Sequence, residues 1–214
     1  MGLTRDRLIA RFARTLEEGG RGCADSSQAV ALRRAARALD ARDRVAASNT
    51  RRAAVLVPLV DRPGGMTVLL TQRTDHLADH AGQISFPGGS IEPGDPDATA
   101  AALRESLEEI GLAAEHITVV GRLDPYLTGS SGFVITPVVG IVAPAFSLAI
   151  DPFEVAEVFE VPLSYILDPK NHRRAERIDG ERRRTFFVLP YENRNIWGAT
   201  AAILINLFEV LSTA

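Results

Sequence analysis

Between Phe86 and Leu112 the chain reads FPGGSIEPGDPDATAAALRESLEEIGL, and no other stretch restricts the fold as tightly. Its first half carries Pro87, Gly88, Gly89, Pro93, Gly94 and Pro96, a density that predicts loop rather than helix or strand. Its second half predicts a helix with clear ends. Asp95 suits the N-cap, Pro96 the first helical position and Gly111 the position just past the C-terminus. Ala100, Leu103, Leu107 and Ile110 recur at helical spacing and are expected to form its core-facing stripe. On the polar side Glu105, Glu108 and Glu109 stand at i, i+3 and i+4, so three carboxylates share one face.

Like charges at this spacing repel by a few tenths of a kcal/mol per pair, and Arg104 is the nearby cation. A bare acidic helix face is ordinarily just solvated. A glycine-rich loop directly in front of it points instead to a bound divalent cation, which turns the repulsion into attraction. Clustered carboxylate oxygens suit magnesium or manganese, hard ions that also bind phosphate oxygens.

Loop and helix together resemble the Nudix box, the metal-binding element of Nudix hydrolases. That pattern runs glycine, five residues, Glu, seven residues, then Arg-Glu-aliphatic-x-Glu-Glu-x-Gly-aliphatic. Gly89 supplies the first glycine and Arg104 to Leu112 the second half. Two departures stand out. Asp95 replaces the middle Glu, with eight residues before Arg104, and Ser106 occupies a position that is usually aliphatic or alanine. The extra residue lengthens the loop and leaves the helical acids in register, so the three glutamates rather than Asp95 are the expected ligands. Upstream, LLTQRTDHLADHAGQISFPGG (Leu69 to Gly89) resembles the longer signature of the coenzyme A diphosphatase branch, LLTxR…HxGQ…FPGG. PYLTGSSGFVITPVVG from Pro125 and IWGATAAILINL from Ile196 are similar to that branch as well.

The resemblance covers roughly residues 50 to 212 and implies an α/β/α sandwich with a mixed β-sheet between helices. It implies a magnesium- or manganese-dependent hydrolase of a diphosphate bond, with CoA or acyl-CoA cut to 4′-phosphopantetheine and adenosine 3′,5′-bisphosphate. Glu105, Glu108, Glu109 and the Gly89 carbonyl are then the metal ligands. Arg104 joins the glutamates as a catalytic residue by orienting Glu108, and Arg73, Gly88, Gly89 and Gln83 meet the substrate. Two alternatives stay open: hydrolysis of another nucleoside diphosphate derivative, such as ADP-ribose or a dinucleotide, and a non-catalytic nucleotide- or CoA-binding sensor. A sensor is expected to have lost box acids, whereas all three helical glutamates stand here.

The rest of the chain fits this frame. A net charge of −3 and a pI near 5.8 leave no basic footprint for nucleic acid. No apolar run reaches the ~18–20 residues that span a bilayer, and the start lacks the apolar core of a secretory signal. Cys23 is the single cysteine, which excludes an intramolecular disulfide and makes a reducing, cytoplasmic setting the expectation. Residues 1–50 read as a helical arm of two helices around a glycine break, packing on the core or supporting a homodimer. The resemblance implies that residues 51–214 form the hydrolase domain.

Within that domain, Ala54–Val60 and Met66–Gln72 predict a buried hairpin. Arg73 at its end either grips a phosphate or pairs with Asp75 or the box. His76 and His80 lack a third nitrogen or sulfur ligand, so they are expected to line the substrate loop or cap glycine-containing turns rather than bind zinc. Ile117–Leu123, Phe133–Val142, Glu157–Val161 and Thr185–Pro190 predict strands, with Pro137 marking a bulge or an edge. Residues 168–184 predict an exposed loop or hairpin, and Ala199–Leu211 a closing helix. Ser130 and Ser131 have no His–acid partner, which argues against covalent catalysis. The general base is left open among Glu105, Glu154 and Glu157.

Overall fold

The computed structural model describes residues 4–19, 50–76, 81–128, 132–179 and 182–212. Helix α1 (Arg5–Gly19) precedes strands β1 (Arg51–Val60), β2 (Thr67–Arg73), β3 (Ile84–Ser85) and β4 (Gly88–Ser90). Helix α2 (Ala98–Ile110) follows, then β5 (Ile117–Arg122), β6 (Tyr126–Leu127), β7 (Phe133–Val142), β8 (Val155–Pro162) and the short helix α3 (Leu163–Ile166). A second, three-stranded sheet contains β9 (Arg173–Asp179), β10 (Arg182–Tyr191) and β11 (Arg194–Trp197), and helix α4 (Gly198–Ser212) closes the fold.

The expected hairpin forms, with Leu59 opposite Val68. β7 then lies parallel along the whole of β1, from Arg51 beside Phe133 to Val60 beside Val142, which makes the sheet mixed. β5 and β6 pair with β7, β3 and β8 with β2, and β4 with β1, all antiparallel. β1 is covered on both faces, and this is why it reads as a near-continuous apolar run. Ala54, Leu56 and Val60 pack with Ala101, Ala102 and Ile110 of α2. Val57 and Leu59 belong to the opposite core with Leu8 and Phe12 of α1 and Leu204 and Leu207 of α4. The result is a mixed sheet between helices, the α/β/α sandwich that the sequence implies. Among the described residues no helix is long and apolar enough to cross a membrane.

Four expectations change on contact with the structure. Helix α2 begins at Ala98, and its N-cap is Asp97, whose Oδ1 accepts from Thr99 N (2.8 Å) and Ala100 N (2.9 Å). Asp95 is taken up by Arg104 instead. The C-terminus is as expected: Gly111 sits at φ 69° and donates to the Leu107 carbonyl.

The inward stripe of α2 is Ala98, Ala101, Ala102, Ser106, Glu109 and Ile110, while Leu107 is 52% exposed. Small side chains let this helix settle close against β1 and β4, and the buried Ser106 hydroxyl is satisfied by the Ala102 carbonyl at 2.7 Å. Of the expected stripe, Ile110 is buried and Leu103 packs against the core, while the alanine face displaces Leu107 and carries Glu109 inward with it.

Part of the glycine-rich segment is a strand after all. Gly88 and Gly89 pair with Val55 and Ala54, and a Cβ on Gly88 (φ 151°) would lie 2.4 Å from the Ala54 carbonyl oxygen. Only glycine allows that approach.

Pro137, finally, lies inside β7, which is not an edge. It sits where β7 changes partner from β5 (Val138 beside Arg122) to β6 (Ile135 beside Tyr126), so its missing N–H breaks no ladder bond to them. The register shift belongs to β5, between Val119 and Gly121.

α1 seats Leu8 and Phe12 fully in the core, and Arg11 Nε donates to the Val210 carbonyl at 2.8 Å. The arm's second expected helix, Cys23, His80, Ser130 and Ser131 lie outside the described residues.

Candidate active site

The box helix and the glycine strand meet through charges. Arg104 is the hub: Nε and Nη2 reach the two Asp95 carboxylate oxygens at 3.1 and 3.0 Å, and Nη1 donates to Glu105 and to Glu108, each at 2.9 Å. Nη2 also donates to the Ser90 carbonyl at 3.1 Å, tying helix to strand. The Asp95 hydrogen bonds, above all, push the Arg104 guanidinium further up, and they hold the Asp95 carboxyl below its ordinary value. The middle acid of the box therefore serves as the clamp on Arg104.

The three glutamates separate by depth. Glu108 is exposed and bound to Arg104. Glu105 lies against Gly89, where a Cβ would stand 2.6 Å from its carboxylate. Burial raises the Glu105 carboxyl, opposed by Arg104 and reinforced by the charges of Glu108 and Glu154. Glu109 goes deepest, at 6% exposure, and accepts the Gly88 N–H at 3.2 Å. Burial pushes its carboxyl up to about 8, with Glu105 and Glu154 adding to the rise and the Gly88 N–H and Arg73 opposing it.

Arg73 stands at the end of β2, where the pairing with β8 shifts register between Gln72 and Arg73. Such irregularities re-aim side chains and recur beside active sites. Its Nη1 is 3.9 Å from Glu109 Oε1, a contact too long for a hydrogen bond. Its Nε is buried and has no hydrogen-bond partner among the described residues. Of the two readings left open for Arg73, the structure thus shows a loose pair with the box and spare donor capacity beside it. Gln83 is tied to the same place, its carbonyl accepting from Arg73 N at 2.9 Å.

Of the later acids, Glu154 stands near Glu105 and Glu109 through its charge. Its carbonyl accepts from Thr74 N, so the loop before β8 is pinned beside Arg73. Glu157 is drawn away into an ion pair with Arg194 at 2.5 Å. His76 rests edge-on against Phe153 with ring centroids 4.9 Å apart.

A family model of the NUDIX domain matches residues 50–179. The chain belongs to the Nudix family. It is 41% identical over 162 residues to a protein of Photorhabdus laumondii named as an uncharacterized Nudix hydrolase, NudL, covering 75% of this chain and 85% of that protein. The NudL of Yersinia pestis (strain Pestoides F) is 41% identical over 166 residues, 77% and 82% of the two chains. Among solved structures, a MutT/nudix family protein from Enterococcus faecalis matches 75% of this chain and 61% of its own, with a TM-score of 0.47 and 18% identity. By the family match and these relatives the protein is a Nudix hydrolase, acting on diphosphate bonds.

Hydrolases of this family generally use divalent metals such as magnesium or manganese, and the donor set here fits them. Glu105 and Glu109 present hard carboxylate oxygens in a half-dry site where burial raises both carboxyls and the charge of Glu154 adds to each, a repulsion that a divalent cation relieves. Among the described residues no three His, Cys, Asp or Glu side chains stand together as a closed ligand set; Glu105 and Glu108 are both hydrogen-bonded to Arg104 Nη1. Sequence reasoning missed two parts of the arrangement. One is Asp95 as the clamp, signalled by its place in the box opposite the arginine. The other is the Gly88 N–H as a donor to Glu109, which no residue identity reveals.

Proposed function

We propose that the protein is a coenzyme A diphosphatase, which hydrolyses CoA or acyl-CoA to (acyl-)4′-phosphopantetheine and adenosine 3′,5′-bisphosphate. What carries the substrate assignment is the branch-like segment from Leu69 to Gly89. Its ends supply Arg73, whose Nε has no partner among the described residues, and Gly88 and Gly89, against Glu109 and Glu105.

Glu105, Glu109 and the Gly89 carbonyl would hold the divalent metal, with Glu108 as a further ligand, Glu105 and Glu108 exchanging their hydrogen bonds to Arg104 for it. Bound there, the metal neutralises the diphosphate and makes a water a better nucleophile. Arg104 is a positioning residue: Asp95 fixes its guanidinium, which in turn sets the rotamers of Glu105 and Glu108. Arg73 directs its free donors at a phosphate oxygen and stabilises the charge that develops as the bridging bond breaks. Glu154 takes the proton from the attacking water, since Glu157 is committed to Arg194. The water oxygen becomes part of one phosphate, and the bridging oxygen leaves with the other.

The deciding experiment incubates the purified protein with CoA and magnesium or manganese and separates the products with mass detection. Adenosine 3′,5′-bisphosphate together with 4′-phosphopantetheine establishes the bond cut. Intact CoA beside hydrolysed ADP-ribose or dinucleotide leaves the Nudix chemistry standing and removes the substrate assignment.

A further inference from the structure

Phe153 is the conspicuous residue that the chemistry above leaves unused. It is 64% exposed, the largest exposure among the big aromatic side chains described, yet it is held firmly. Its N–H donates to Asp151 Oδ1 at 2.9 Å, and its carbonyl accepts from Thr74 Oγ1 at 2.8 Å. The His76 ring meets it edge-on at 60°. An isolated surface phenylalanine needs no explanation, but one fixed at both backbone groups and braced by a second ring is preorganised.

Its address is equally specific. Phe153 directly precedes Glu154, and His76 follows Arg73 by three residues. Thr74 N donates to the Glu154 carbonyl, and Asp151 N to the backbone carbonyl of Glu109 itself. The loop that carries the ring is therefore anchored both to Thr74, the residue after the phosphate-facing arginine, and to the C-terminal end of the box helix. What the pair offers is an exposed phenyl face braced by the edge of an imidazole.

We propose that Phe153, braced by His76, is the platform on which the nucleobase of the substrate stacks while its diphosphate lies between Arg73 and the box. The inference rests on the functional reading above for the base being adenine; the platform itself requires only a nucleoside diphosphate. Every base has a π-face, so stacking supplies affinity and orientation with little sequence of donors and acceptors. It also accounts for two aromatic residues held at the rim of a site that is otherwise all charge.

The test is calorimetric binding, with magnesium, of ADP and of ribose 5-diphosphate, the same molecule without its base. Wild-type protein is expected to prefer ADP by about tenfold, the order that stacking one base gives. Phe153→Ala should abolish the preference and leave ribose 5-diphosphate binding unchanged, Phe153→Trp should restore it, and His76→Ala should reduce it partly. Equal loss of both ligands in Phe153→Ala would mark a merely structural role and overturn the platform. So would an unchanged ADP preference, no preference in the wild type, or a dimer that falls apart in Phe153→Ala with its ligand affinities intact. CoA turnover by the wild type is scored separately, so a failed substrate assignment and a failed platform give different results.

Discussion

Strand β2 has an arginine–glutamate pair at each end, and the two could hardly be built more differently. At its start, Arg62 reaches Glu160 through two nitrogens at 2.5 and 3.1 Å, Thr67 Oγ1 adds a third donor at 2.5 Å, and Arg62 Nη1 closes on the Pro144 carbonyl at 2.9 Å. These hydrogen bonds outweigh burial and hold the Glu160 carboxyl below its ordinary value. At its end, Arg73 and Glu109 stand 3.9 Å apart, Arg73 Nε has no partner among the described residues, and Glu109 is pushed up to about 8. A saturated pair at the half-exposed surface is structure. A buried pair left short of partners costs stability unless something else completes it. On the proposed reading, the difference marks where in this fold a cation and a phosphate would complete the unsatisfied pair.

Glu109→Gln tests that contrast with the largest expected effect. Removing one charge from the metal site should lower kcat by about 10²-fold or more, and near-normal turnover would sink the assignment of Glu109. The same change should not harm the metal-free fold. Glu109 has a folded-state pKa raised from 4.5 to about 8, so its contribution is fully present below pH 4.5 and lost as pH rises through 8. Metal-free wild-type protein should therefore melt lower at pH 9 than at pH 6. Added magnesium should restore more of the melting temperature at the higher pH, where no proton competes for the carboxylate. In Glu109→Gln the alkaline decline should shrink; an identical pH profile in both proteins would show that Glu109 is not its source.

Arg73→Ala comes next. If its spare donors meet phosphate, KM should rise by about tenfold, the value of a hydrogen bond to a charged group, with the melting temperature little changed. A stable protein with unchanged KM would reduce Arg73 to a loose partner of Glu109.

Glu160→Gln probes the saturated end, and its signature is the reverse. Because the folded-state pKa of Glu160 is lowered, its contribution is present above the unfolded value of 4.5 and disappears as pH falls through the folded one. The pair is partly exposed, so the loss at neutral pH should be only about 1 kcal/mol, with kcat and KM untouched. A changed KM would mean that the two ends of β2 are coupled.

Much of this architecture was legible before any coordinates. The β1–β2 hairpin, the closing helix and the Gly111 cap follow from local pattern, because apolar period and turn chemistry act within a few residues; of the loop or hairpin left open for 168–184, the hairpin forms. The parallel registry of β1 on β7 did not, since their contact bridges some eighty residues of chain. In the site, the residue types of the box announced metal and phosphate chemistry. What they could not announce is depth. Glu105, Glu108 and Glu109 look equivalent at i, i+3 and i+4, yet one is buried, one half-covered and one exposed. That ordering is set by which face of α2 lies on β1 and β4, and the Gly88 N–H that meets Glu109 belongs to a backbone that side-chain patterns do not describe.

Leu107 sharpens the point with the smallest expected effect. Helical spacing groups it with Ala100, Leu103 and Ile110 as a core stripe, and a buried leucine truncated to alanine costs ~2–5 kcal/mol. At 52% exposure, Leu107→Ala should instead move stability by less than about 0.5 kcal/mol, since little apolar area leaves water's reach and alanine is the better helix former. Ala101, across the helix, has no such freedom: it is fully buried against β1, and any larger side chain there pushes α2 away from the sheet. A Leu107→Ala protein that melts several degrees lower would restore the leucine stripe. It would also turn α2 on its axis, carrying Glu109 outward and dissolving the contrast between the two ends of β2.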